Sequence, residues 1–193
     1  MLALILSGCG TLPTDPTAGS GQSSAGAPAN TTNQNTTGPH RFGVQTKTRG
    51  CVAANALQDS ACTPGAIITS ATKAQICTSG YAKSVRNVPT SEKDQVYAEY
   101  GITHHSAGEY EVDHLVSLEL GGSNDIANLW PEAASPKPGF HEKDQVENYM
   151  HDQVCSGAIS LQQAQIQIAT NWLTLYHRMG NRSSTQNLQE GAL

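Results

Sequence analysis

Asp113 and His114 stand side by side in the stretch Tyr110 to Asn148, which reads YEVDHLVSLELGGSNDIANLWPEAASPKPGFHEKDQVEN. A neutral imidazole takes a proton from water near neutral pH, because its unperturbed pKa lies there. A carboxylate is a hard oxygen ligand for a divalent cation, and such a cation stabilises developing negative charge and a leaving oxygen. The pair is therefore equipped for metal-assisted hydrolysis. Neighbouring side chains of a regular strand point to opposite faces. Both groups can serve one site only where the strand ends in a twist or hairpin. Gly121-Gly122-Ser123-Asn124 supplies a strong turn signal just downstream. Other polar candidates are Asn128, then His141, Asp144 and Glu147, and the upstream cations Lys83 and Arg86. His104 and His105 form a loop pair without a third ligand, so they are left out of the site.

These residues need elements to position them. Tyr110, Val112 and His114 alternate with Glu111, Asp113 and Leu115, a period that predicts a strand within Glu109 to Leu120. Asn128-Leu129-Trp130 reads as a short extended piece stopped by Pro131. A helix is predicted from His141 to Val154, with Val146, Tyr149, Met150 and Val154 on one stripe. Ser160 then caps a last amphipathic helix through Leu161, Ala164, Ile168, Trp172, Leu175 and Met179, closed by Gly180. That stripe is core and carries no chemistry. Upstream, Ala71 to Cys77 has room for one or two helical turns, and Ser91 is a candidate N-cap of a helix ended by Gly101.

Val112-Asp113-His114-Leu115, Leu118-Glu119-Leu120-Gly121-Gly122, Asn128-Leu129 and a helix from about His141 follow one another in the order of a known motif. The segment resembles the HNH (ββα-metal) endonuclease motif. Ile76 to Arg86, with Tyr97 to Gly101, resembles the N-terminal part of small exported HNH proteins of bacteria. The resemblance implies an α+β fold. Its HNH core would be a small antiparallel hairpin plus a helix, wrapped by additional helices, with Leu118-Glu119-Leu120 in the second strand. It implies a metal-dependent endonuclease that hydrolyses phosphodiester bonds of nucleic acid, with DNA the expected substrate. By the family pattern Asp113 binds the metal, His114 activates water, and Asn128 holds the loop and orients His114 through hydrogen bonds. The second metal ligand is expected at His141, with Asp144 and Glu147 as rivals. The usual His-x-x-Lys spacing is absent, since Lys143 stands two residues after His141. One divalent ion is implied, Mg²⁺ first, with Mn²⁺, Ca²⁺ or Zn²⁺ as alternatives. Arg86 and Lys83 are candidates to clamp phosphate. A competing expectation is a surface lipoprotein that binds nucleic acid or a protein partner on a decayed HNH scaffold without cutting.

The N-terminus reads as an address. The apolar run Met1 to Leu6 is followed by Ser7-Gly8-Cys9, and Leu6-Ser7-Gly8-Cys9 resembles a bacterial lipobox in which Cys9 is acylated. Residues 1–8 are then a signal remnant too short to span a bilayer. Residues 9–42 are rich in Gly, Ser, Thr, Asn and Pro and read as a flexible tether. A single domain is expected over 43–180, with the motif at 109–150 and a tail at 181–193. The expected location is outside the cytoplasm, anchored to a membrane by lipid alone. Four further cysteines, Cys51, Cys62, Cys77 and Cys155, lack zinc-knuckle spacing. In an exported chain they favour disulfides over free buried thiols. Three connectivities are open, and we expect Cys51–Cys62 as a local clamp and Cys77–Cys155 as a long-range staple.

Charge is a weak guide. The chain carries a formal −5, which argues against strong nonspecific nucleic-acid binding. Residues 41–100 sum to +3 and residues 101–193 to −7. A basic part beside an acidic part can present phosphate to metal-binding carboxylates, although ordinary solvated surface accounts for the same numbers.

Overall fold

The computed structural model describes residues 40–190, with side chains to residue 181; the expected signal, Cys9 and most of the tether lie outside them. Helices α1 (Lys73–Ile76), α2 (Tyr81–Val85) and α3 (Thr90–Glu99) precede strand β1 (Tyr110–His114). Strand β2 (Leu129–Ala133) and helices α4 (Phe140–Ser156) and α5 (Leu161–Glu190) follow. The class is α+β: a two-stranded antiparallel hairpin surrounded by helices.

The hairpin pairs Tyr110 with Ala133, Val112 with Pro131 and His114 with Leu129. Two expectations are corrected here. Leu118–Leu120 is a 3₁₀ turn and not the second strand. The amides of Leu120 and Gly122 both donate to Ser117 O at 2.9 Å, so they close a tight turn and have nothing to offer a partner strand. A Cβ on Gly122 would lie 1.8 Å from Val116 O, which restricts this turn to glycine. Pro131 does not stop the second strand but sits inside it. Both strands of a two-stranded ribbon are edges, so the missing N–H of proline costs no ladder bond.

The helix boundaries also differ. α3 begins at Thr90 after Pro89, with no side-chain cap, so Ser91 lies in its first turn. In α4 Glu142 reaches back to accept from Gly139 N at 2.9 Å. α5 passes through Gly180 to Glu190. A lone glycine costs a helix only about 1 kcal/mol, and no proline follows. The break in α5 lies at Asn171 (φ −168°, ψ 89°), whose Oδ1 accepts from Thr174 N at 3.0 Å and starts the helix again.

One face of the ribbon packs Val112 and Leu129 against Val96 of α3. On the other, Trp130 joins Val146 and Met150 of α4 in the main core, completed by Ala164, Ile168, Trp172 and Leu175 of α5. The stripes expected of α4 and α5 are thus core. Cys51–Cys62 and Cys77–Cys155 are the disulfides, paired as expected. Among the described residues no helix is long and apolar enough to cross a membrane.

Candidate active site

β1 aims Asp113 at α4 and His114 at the loop before β2. The two neighbours are tied together by a residue that was read from the sequence only as a spacing anomaly. Lys143 is 0% exposed. Its Nζ donates to Asp113 Oδ2 at 2.6 Å and to the carbonyl of His114 at 2.8 Å. The third partner is Glu147, one turn further along α4. Burial opposes the charge on Lys143, but Asp113, Glu147 and Glu132 together hold its pKa well above the ordinary lysine value. The ammonium is therefore charged and fastens the end of β1 to α4.

Glu132 lies opposite Glu111 in the register and is 1% exposed. Neither of its oxygens has a hydrogen-bond partner. Burial, then the nearby Asp113 and Glu147, push the Glu132 carboxyl far above the carboxylate range. Burial also works against ionised Asp113, yet Lys143, Glu132 and His114 outweigh it and hold Asp113 below its usual value. Burial pushes Glu147 up to about 7.

His114 is held by Asn124. Nδ2 of Asn124 donates to Val85 O at 2.7 Å, and its Oδ1 accepts from Asn87 N at 3.1 Å. These backbone contacts fix the amide orientation, so the atom 3.2 Å from His114 Nε2 is the acceptor Oδ1. Nε2 must then carry the hydrogen, which leaves the lone pair on Nδ1. His114 is 2% exposed, and burial lowers its pKa to about 4. The imidazole is neutral across the physiological range.

Asn128, expected to orient His114, does something else. It is fully buried. Its Oδ1 accepts from Val116 N at 2.9 Å and Ala66 N at 3.2 Å, and its Nδ2 donates to Val116 O at 3.0 Å and Ser123 O at 2.8 Å. All four partners are backbone groups. Asn128 pins the segment that leaves β1, as expected of a loop holder, while the ring contact belongs to Asn124.

The rim of the site is charged and open. Glu111, Asp144 and Arg86 are exposed. Burial raises Glu111, and Asp113 and Asp144 raise it further. Burial and then Asp113 raise Asp144, while Lys143, His141 and Arg86 oppose them. Arg86 also acts on His114. Asp113, His114, Arg86, His141 and Asp144 therefore share one electrostatic neighbourhood. His141 is exposed in the first turn of α4, its ring 4.3 Å from that of Phe140. Lys83 is exposed on α2. Glu147, like Asp113, gives a carboxylate oxygen to the Lys143 ammonium. The carboxylates of Glu111, Asp113 and Asp144 are close enough to act on one another, and Arg86 opposes them at Glu111 and Asp144. Their oxygens are hard donors, the type a hard divalent cation takes, but no three of them stand as close together as a metal-holding group.

A second group of ligands lies elsewhere. One ligand atom from each of Cys77, His151 and Cys155 falls within 4.8 Å of the others, a group that could hold a metal ion once the Cys77–Cys155 disulfide is reduced. Two sulfurs and an imidazole suit a borderline-soft ion such as zinc better than magnesium. Among the described residues it is the one group of three or more His, Cys, Asp or Glu ligands so close together.

Sequence reasoning missed Lys143, Glu132 and Asn124 as site residues. Lys143 and Glu147 had a signal in their i, i+4 spacing. Asn124 was visible as a turn residue, and Glu132 had no local signal. No protein family, curated protein or solved structure matches this chain.

Proposed function

We propose that the protein is an exported HNH-type nuclease that hydrolyses phosphodiester bonds of nucleic acid, DNA first, with His114 as general base. The observation that carries the reading is a neutral His114, its hydrogen held on Nε2 by Asn124, next to Asp113 at the end of a strand. Nδ1 of His114 takes a proton from water as the water attacks phosphorus in line. The 3′-oxygen leaves, and the product carries a 5′-phosphate. Arg86 holds the phosphate oxygens through charge-assisted hydrogen bonds, with Lys83 as the outer candidate. A divalent cation, Mg²⁺ by the donor chemistry, would be held by Asp113 with His141 or Asp144 and would supply charge stabilisation at phosphorus and the leaving oxygen. Lys143 and Glu132 keep Asp113 ionised and in place. On this reading the hairpin with α4 across it would stand for the HNH core. Two disulfides favour an oxidising compartment, in keeping with a lipid anchor at Cys9.

One observation favours a second reading. His114 is only 2% exposed, which suits a scaffold that binds nucleic acid or a protein without cutting. Supercoiled plasmid incubated with the protein plus Mg²⁺, Mn²⁺ or EDTA separates the two. Nicking that needs both the metal and His114 is the expected result. Cleavage retained by His114→Ala sinks the mechanism. DNA affinity without metal-dependent products from plasmid, single strands or RNA moves the assignment to the binding protein.

A further inference from the structure

The Cys77–Cys155 disulfide closes the end of α1 onto α4 across 78 residues of sequence. His151, one turn before Cys155 on α4, stands against it. Its Nε2 lies 3.4 Å from Cys155 Sγ and 3.1 Å from Ile76 O. On its other edge Nδ1 is 4.0 Å from Asp152 Oδ1. A structural staple in a helix bundle does not need an imidazole beside it.

We propose that Cys77, His151 and Cys155 form a two-state cross-link: a disulfide when oxidised and a zinc-class metal site when reduced. The geometry supports both states. The Cα atoms of the cysteines are 5.7 Å apart, within reach of a disulfide. A tetrahedral site with Zn–S of about 2.3 Å and Zn–N of about 2.0 Å places sulfur about 3.5 Å from nitrogen and the two sulfurs about 3.8 Å apart. The Cys155–His151 edge already has the first separation, at 3.4 Å. The second needs the sulfur–sulfur bond to break and the two side chains to rotate apart, with the backbone where it is. When Nε2 turns to the metal it gives up Ile76 O, and Nδ1–H needs a small shift of Asp152, now 4.0 Å away, to gain the outer carboxylate that fixes a ligating ring. Three protein ligands leave a fourth position for water.

The two states exclude each other by electron count. A disulfide sulfur is not a thiolate ligand. Reduction by a phosphine in water gives two thiols and the phosphine oxide. Binding of the ion then displaces two protons to solution and forms two metal–sulfur bonds. A dithiol does the same reduction by exchange and becomes a cyclic disulfide. Either state joins the same two elements, so the protein keeps a staple at this position in both redox conditions. The site shares no residue with the one around Asp113 and stands or falls without it.

Cobalt(II) titration of the phosphine-reduced full chain under anaerobic conditions tests this. Thiolate-to-cobalt charge-transfer absorption should appear at one equivalent and be displaced by one equivalent of Zn²⁺. The oxidised chain should show none. Outer partners of ligating histidines are worth about 10- to 100-fold in affinity, so losing the ligand itself in His151→Ala should weaken cobalt binding at least about 100-fold. Cys51→Ser/Cys62→Ser should retain the absorption, and Cys77→Ser/Cys155→Ser should lose it. His151 is only half-buried, so its alanine variant keeps the proposal testable if the cysteine pair does not fold. No charge-transfer band in the reduced chain overturns the proposal. So does a band that His151→Ala leaves at full affinity, or one that persists in Cys77→Ser/Cys155→Ser.

Discussion

Lys143→Met should be among the most damaging single substitutions in the domain, and its cost can be reasoned from the contacts. The ammonium is fully buried and bonds Asp113 Oδ2 at 2.6 Å, His114 O at 2.8 Å and the Glu147 carboxylate. Methionine fills a similar volume, so the packing loss is small. What remains is the removal of one partner from a buried ionic cluster, which costs about 3–5 kcal/mol because the other charges stay buried and unpaired. A domain of this size has a total stability of about 5–15 kcal/mol, so the variant should sit near the edge of folding. Trp130 and Trp172 are both buried, and their fluorescence reports urea unfolding. With an m-value of about 2 kcal/mol per molar, the midpoint should fall by about 2 M. Lys143→Met/Glu147→Met should lose less than the sum of its single variants, with a coupling of about 1–3 kcal/mol. A loss below about 1 kcal/mol for Lys143→Met, or additive single effects, would refute the view that this ion cluster binds β1 to α4.

Three further outcomes are expected. Asn124→Leu should lower plasmid nicking by about 10- to 100-fold, since it frees the His114 ring and its tautomer, and should cost about 1–2 kcal/mol in urea unfolding because Val85 O and Asn87 N lose their partner; an unchanged rate would remove Asn124 from the site. Asn128→Ala should cost about 2–4 kcal/mol in urea unfolding, because buried backbone groups at Ala66, Val116 and Ser123 lose their partner; a stable variant that has lost only activity would return Asn128 to a catalytic role. Stability should fall as pH rises from 10 toward 12. Burial raises Tyr100 to about 12, so the unfolded chain ionises first and the folded state loses about 2–3 kcal/mol across that window. Tyr100→Phe should flatten that part of the stability profile, and an unchanged slope would assign it to other groups.

The sequence by itself determined the elements whose signal is local. Alternation through Tyr110 to His114 marked β1, the stripe Val146, Met150, Val154 marked α4, and Leu161 to Leu175 marked the core face of α5. The even cysteine count of a chain expected outside the cytoplasm was enough to expect disulfides, while which of the three connectivities forms was decided by the fold. The dipeptide Asp113-His114 was legible because it is contiguous. Only the tertiary structure decided the partner of β1. Leu118–Leu120 and Leu129–Ala133 are both apolar runs near a turn, and the choice between them rests on where the backbone of Ser117 and the side chain of Asn128 spend their hydrogen bonds. It also decided the roles of Lys143, Glu132 and Asn124. Lys143 is 30 residues from Asp113, and Asn124 is 39 from Val85. Periodicity reports which face a residue occupies within its own element. The raised pKa of Glu132, the tautomer of His114 and the charge of Lys143 depend on desolvation and on partners that only folding brings near.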